Sequence, residues 1–260
     1  MLLPLQTGIV YGPVNSRRYG RSLGINLCPA GYKLCSFDCV YCHYGATGNL
    51  ATEGTSFEVD LPTYDDVARA LERVLQSSVE MDAITFSGNG EPTLHPDFPE
   101  IVNAVVRLRD RYRPRAKVVL LSNSTGLARE DVRRSVSKID LPVFKLDAGT
   151  EKVFMRINRP ARRVKFSDIV SRLKSLDNVY IQTVLIDGTP SNTHPDDLLA
   201  YLEVIREIHP KEVHLYTTER PVADARISKV DPDWLEDVAS HITDETGIPA
   251  TAFYEGRKPG

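Results

Sequence analysis

Apolar residues along this chain alternate between short unbroken runs and longer stretches in which they recur three and four positions apart. Short unbroken runs read as strands buried on both faces, and the second spacing lines one face of a helix. Ser22–Leu27 is predicted as a strand, Tyr64–Gln76 as a helix capped by Thr63 or a near neighbour, and Asp82–Phe86 as a short strand. Between Pro96 and Asp110, the residues Phe98, Ile101, Val102, Val105 and Leu108 keep a helical period, and Lys117–Leu121 returns to an unbroken run. A helix over 129–138 then precedes strand Val143–Leu146, and helices near 150–157 and 166–176 precede strand Tyr180–Ile186. Helix Pro195–Ile208, strand Glu212–Tyr216 and helix Asp233–Glu245 complete the pattern.

Alternating strand and helix units, six here, fold as a parallel sheet with helices on its outer face. Periodicity does not separate an open doubly wound sheet from a barrel. The chain has 260 residues, 42% of them hydrophobic, enough for one sizeable core, and α/β barrels of about 250 residues fold as single domains. With no linker-like stretch, a single domain over residues 1–260 is expected. The net charge of −3 gives no general attraction for nucleic acid, which disfavours that partner. Arg107, Arg109, Arg111, Arg113, Arg115 and Lys117 form a basic run, but alternate positions on a helix do not share a face. A solvated helix end and loop is the expectation there. No run approaches the ~20 apolar residues of a membrane span, and Met1–Leu5 lacks the charged start and apolar stretch of a signal peptide. A cytoplasmic protein without membrane partners is expected.

The chemistry is concentrated in Cys35, Cys39 and Cys42, with Tyr41 just before the last of them. A reducing compartment favours metal over cross-links for such a group. A 4Fe-4S cluster takes one thiolate per iron, so three closely spaced cysteines leave one iron open, and an open metal position usually means chemistry. The alternative is a structural zinc site in which Cys28 joins the other three as a tetrahedral cage. Cys28, between Leu27 and Pro29 at the end of an apolar run, reads instead as a small buried hydrophobe.

This C-x3-C-x2-C spacing resembles the signature of radical S-adenosylmethionine (SAM) enzymes. The resemblance implies a 4Fe-4S cluster on Cys35, Cys39 and Cys42 whose fourth iron is chelated by the amino and carboxylate groups of SAM. It implies reductive cleavage of SAM to a 5′-deoxyadenosyl radical that takes hydrogen from a substrate, and an external electron donor of flavodoxin or ferredoxin type. The implied fold is a partial (β/α)6 TIM-like barrel with parallel strands over approximately residues 20–220, with extensions at both ends. With Cys28 alone left over, the chain has no ligands for a complete second cluster.

Reactive groups in parallel barrels sit at the carboxyl ends of strands, and the unusual polar residues lie there. Gly88-Asn-Gly90-Glu91-Pro after the second strand resembles the family's GGEP motif, shifted by the inserted Asn89, and implies that Gly88, Gly90 and Glu91 contact SAM. Glu91 capping the next helix is the alternative. Ser122, Asn123 and Ser124 end the third strand, where they suit SAM's ribose or carboxylate, or else close a turn on their own backbone. Lys145 and Asp147 end the fourth strand on one side. Charges in a barrel interior are costly unless paired or bound to ligand, so both are expected in the site, and Gln182 joins them if it points inward.

His214 and Tyr216 share a face of the sixth strand and read as a core pair. Arg159 is a candidate for an anionic group, as are Arg17, Arg18 and Arg21 in the glycine-rich run before the cysteines, and His43 and Tyr44 could cover the cluster. The glycine-rich run Tyr11–Asn26, the cysteine triad, Gly88-Asn-Gly90-Glu91-Pro, Lys145-Leu-Asp-Ala and Ile157-Asn-Arg-Pro160 together resemble a little-characterised group of iron-sulfur oxidoreductases related to the wyosine-tRNA synthases. The expected activity is hydrogen abstraction from an unassigned substrate. Alternatives are a glycyl-radical enzyme activase, suggested by Tyr41-Cys42-His43 and acting on a partner protein, tRNA-base modification, and a zinc-stabilised binding module without catalysis.

Overall fold

Thr63 starts the first helix, as the sequence predicts. Its hydroxyl accepts from the Asp66 amide at 3.2 Å, and the helix buries Val67, Leu71 and Leu75 along one stripe. The structure, a computed structural model, describes residues 2–256. Its strands are β1 (Val10–Ser16), β2 (Gly20–Ile25), β3 (Leu34–Cys35), β4 (Asn49–Leu50), β5 (Ala83–Phe86), β6 (Lys117–Ser122), β7 (Leu141–Lys145), β8 (Tyr180–Val184), β9 (Ile186–Gly188), β10 (Glu212–Tyr216), β11 (Ile227–Lys229) and β12 (Ala250–Phe253). The helices are α1 (Tyr64–Leu75), α2 (Phe98–Tyr112), α3 (Glu130–Val136), α4 (Glu151–Ile157), α5 (Phe166–Lys174), α6 (Pro195–Ile208) and α7 (Pro232–Thr246).

The main sheet runs in the order β1-β2-β5-β6-β7-β8-β10-β12. β2, β5 and β6 pair in parallel, as do β8, β10 and β12, while β1 is antiparallel to β2. This is the α/β, mostly parallel arrangement that the alternation predicts, in the strand order of a partial (β/α)6 barrel. Two strands of the main sheet, β1 and β12, enter where the apolar pattern is silent. β1 carries Gly12 and Pro13, which break its rhythm, and β12 carries a single large apolar residue, Phe253. The predicted strand Tyr180–Ile186 ends at Val184, and Ile186–Gly188 pairs with β11 in a separate ribbon.

The chain packs as two compact units. Among the described residues, one comprises Leu5–Ser36 and Gly48–Val143, the other Leu2–Pro4, Phe37–Thr47 and Phe144–Gly256. In the first, Leu23, Ile25, Ile84 and Phe86 of β2 and β5 are buried with Leu71, Leu75, Phe98 and Ile101 of α1 and α2. Gly24 exists for the ring of Tyr11, which lies where a Cβ would stand. Within the basic run, Arg109 turns inward, binding Asp140 and the Ala116 carbonyl at 2.6 and 2.8 Å and so fastening α2 to the start of β6. In the second unit, Ile181, Val213, Leu215 and Ala252 are buried along β8, β10 and β12. His214 packs against Tyr180 and Phe253, a core position as expected. We predict that Leu71→Ala, at a site with no exposure, costs about 2–5 kcal/mol in urea unfolding through lost burial and the cavity left behind.

Candidate active site

In the first unit, the loop after β5 is built around Asn89, the residue that interrupts the GGEP pattern. Its Oδ1 accepts from the Gln6 amide at 2.7 Å, and its Nδ2 donates to the carbonyls of Gln6 and Pro29 at 2.8 and 2.9 Å. Its own carbonyl accepts from Leu34, and the Glu91 amide donates to the Leu34 carbonyl at 3.0 Å. A Cβ on Gly90 would strike that same carbonyl, so glycine lets the two backbones meet just before Cys35. Gly88 stands in a left-handed conformation beside Asn26.

Glu91 is 2% exposed. Its carboxylate accepts from the Thr93 amide at 3.1 Å, the Ser122 hydroxyl at 2.7 Å and the Asn123 amide at 2.6 Å, with the Thr93 hydroxyl as a further donor. Burial pushes this carboxyl up from its ordinary range and the donors oppose that shift. Glu91 thus caps the short turn Pro92–Leu94 and fastens it to the end of β6. Asn123, just past β6, donates to Ser36 Oγ at 2.8 Å and to Cys35 Sγ at 3.5 Å. Ser124 follows in a left-handed conformation, and its buried hydroxyl has no hydrogen-bond partner. Most buried polar side-chain atoms have a hydrogen-bond partner, so this hydroxyl stands out in the site.

In the second unit, the loop bearing Cys39 and Cys42 hangs on the end of α4. Val40 donates to the Ile157 carbonyl and Asp38 to the Asn158 carbonyl, each at 3.0 Å. Phe37 packs edge-on against Phe154, with centroids 5.2 Å apart. Asp147, past the end of β7, is the polar centre. Its Oδ1 accepts from the Val184 amide at 2.8 Å, and its Oδ2 accepts from Asn158 Nδ2 at 2.6 Å and from the Tyr41 hydroxyl. Asn158 Nδ2 also approaches Cys39 Sγ at 3.5 Å. Lys145 Nζ lies 3.9 Å from Asp147 Oδ2 and 4.7 Å from the Tyr41 ring centre, a cation over an aromatic face. Burial pushes the Cys39 thiol up, while Lys145 and Asn158 pull it down.

The expected site residues thus fall into two constellations, Gly88, Gly90, Glu91, Ser122, Asn123 and Ser124 in one unit and Lys145 and Asp147 in the other. Gln182, half-buried on β8, lies opposite His214 of β10 in the ladder. Other expected anion binders are committed elsewhere. Arg21 grips Asp82 and Glu80, and Arg159 binds Asp224 at 3.0 Å. Cys28 is buried with Leu34, Leu61 and Leu94, and burial holds its thiol well above the usual range. Asn26 binds the Cys28 carbonyl and the Asn89 amide, and Asn192 donates to the Asp147 and Val184 carbonyls at 2.9 Å; like Asn89 and Asn158, they have structural roles that sequence reasoning did not assign, since asparagine carries no spacing signal of its own.

No disulfide joins any of the four cysteines. Among the described residues, no three His, Cys, Asp or Glu side chains gather as the ligands of a single ion would. A 4Fe-4S cluster differs in giving each thiolate a separate iron. The sequence profile of the Radical SAM superfamily matches residues 31–205, which include all three motif cysteines. The chain belongs to the radical SAM superfamily. Members of this superfamily use a 4Fe-4S cluster and SAM. A UPF0026 protein of Synechocystis sp. is 32% identical, over 92% of this chain and 94% of that protein. One from Methanocaldococcus jannaschii is 33% identical, over 84% of this chain and 66% of its own length. A protein of Brachyspira hyodysenteriae named GTPase Obg is 28% identical over 89% of this chain, which spans 33% of that relative. Streptococcus suis SuiB bound to precursor peptide SuiA shares the fold, with a TM-score of 0.65, 14% identity, and coverage of 89% of this chain and 48% of SuiB. So does TYW1 with a lysine-pyruvate adduct, with a TM-score of 0.56, 16% identity, and coverage of 86% of this chain and 73% of TYW1. Among the described residues, no helix is long and apolar enough to cross a membrane.

Proposed function

We propose that the chain is a radical SAM enzyme in which Cys35, Cys39 and Cys42 hold one 4Fe-4S cluster and that it abstracts a hydrogen atom from its substrate. A cluster held by these three cysteines would supply the electron for reductive cleavage of SAM. The observation that carries this reading is the C-x3-C-x2-C motif inside the family match, and the donor set fits it. Cys35 and Cys39 each receive an amide N–H suited to a thiolate, whereas the buried Cys28 thiol donates to the Leu34 carbonyl at 3.6 Å, packed with Leu61 and Leu94. That contrast disfavours the four-cysteine zinc cage.

The chain's own residues do the binding and holding. Asn89 and Gly90 fix the approach to Cys35, while Asp147, Asn158 and Tyr41 fix the loop of Cys39. Of Ser122, Asn123 and Ser124, the residues expected at the ribose or carboxylate of SAM, Ser124 alone keeps a side chain without a protein partner and is the strongest candidate. Lys145 offers a cation and Asp147 an anion for its charged amino-acid end, and Gln182 an amide for adenosine. The reading treats the chain as one catalytic domain, served in the cytoplasm by a flavodoxin- or ferredoxin-type donor. A partner polypeptide, as for an activase, fits the net charge of −3 better than tRNA does.

The test is anaerobic reconstitution with iron, sulfide, reductant and SAM, followed by assay for 5′-deoxyadenosine. We expect four irons per chain and SAM-dependent product. Zinc in place of iron, with no cleavage, would overturn the reading.

A further inference from the structure

We infer that Asn123 and Asn158 tune the cluster's reduction potential by donating amide N–H groups to the sulfurs of Cys35 and Cys39; the inference rests on the cluster assignment proposed above. Both donor–sulfur distances are 3.5 Å, and neither side chain is free to present its oxygen instead. Asn123 Oδ1 is held by the Thr125 amide at 3.1 Å and the Thr125 hydroxyl at 2.7 Å, which leaves its nitrogen to face Ser36 and Cys35. Asn158 Nδ2 donates to the Asp147 carboxylate at 2.6 Å. An ionised carboxylate accepts and does not donate, so the nitrogen must lie on that side, next to Cys39. The surrounding hydrogen bonds therefore determine both amide orientations.

Burial gives these contacts their weight. Asn158 is 1% exposed and Asn123 5% exposed, so water does not replace a lost donor, and the low local dielectric strengthens the dipole felt at sulfur. Reduction adds one electron to a cluster whose charge spreads onto its thiolates. An N–H aimed at such a sulfur stabilises the reduced form more than the oxidised form and raises the potential. Asn158 and Asn123 act through the ligand sulfurs and are positioning residues in this sense.

The test is an EPR-monitored potentiometric titration of anaerobically reconstituted protein, comparing wild type with Asn123→Ala, Asn158→Ala and Asn123→Asp. For each alanine variant we expect about a tenfold fall in the reduced-to-oxidised ratio at a fixed poise, which is a midpoint about 59 mV lower for a one-electron couple. Asn123→Asp keeps an oxygen for Thr125 and sets a negative charge toward Cys35, so its midpoint falls further. If Asn158→Ala fails to fold for want of a partner to Asp147, the two Asn123 variants decide the matter. Reduced cluster content with an unchanged midpoint would show a purely structural role and overturn the inference, as would full content with an unchanged midpoint. A wild-type protein that takes up no cluster fails at the earlier step and removes the cluster assignment itself.

Discussion

We expect alanine at Cys35, Cys39 or Cys42 to end 5′-deoxyadenosine formation and lower bound iron, and Cys28→Ala to retain at least part of both. Losing even an outer contact to a metal ligand typically costs 10–100-fold in affinity or activity, so loss of a ligand should cost at least about 100-fold. Cys28 lies among Leu34, Leu61 and Leu94, and shortening it removes a small apolar group from a packed core, worth about 1 kcal/mol. Iron content, product yield and urea midpoint separate the two classes of variant. Equal loss of iron in Cys28→Ala would place that sulfur among the ligands and favour the zinc-like four-thiolate arrangement.

We expect Glu91→Ala to destabilise the fold by about 3 kcal/mol or more, because it orphans several buried donors that each cost about 1–3 kcal/mol unsatisfied. Those donors come from Thr93, Ser122 and Asn123, and they join the turn after β5 to the end of β6. Glu91→Gln keeps an acceptor and the side-chain volume, so it should lose clearly less. The check is urea unfolding of both variants followed by SAM binding in whatever folded fraction remains. A neutral Glu91→Ala would mean that the carboxylate is not the knot its partners describe.

The helices were legible because each owes its position to a local stripe. Val67, Leu71 and Leu75 lie on one face of α1, and Pro195 and Ile208 bound α6 as predicted. β1 and β12 were not legible because their stability comes from partners elsewhere in the chain. β1 pairs with β2 across the Gly12-Pro13 interruption, and β12 with β10. The apolar run from Tyr180 continues through Leu185 and Ile186, so its break after Val184 becomes visible only where β9 pairs with β11. Glu91 was legible as a cap and not as the acceptor shared with Ser122 and Asn123, since that role depends on where β6 ends.

Sequence alone determined the cysteine triad, the strand-helix alternation and the polar residues gathered at strand ends, because covalent spacing and side-chain periodicity are local properties. Tertiary structure decided which of those polar groups are already satisfied and which sulfurs are served. Glu91, Arg21 and Arg159 are committed to protein partners, Ser124 keeps an unpartnered hydroxyl, and Asn123 and Asn158 reach Cys35 and Cys39. The reason is that a hydrogen bond or an ion pair depends on distances of a few ångströms between residues far apart in the chain, here 88 positions for Asn123 and Cys35 and 119 for Asn158 and Cys39.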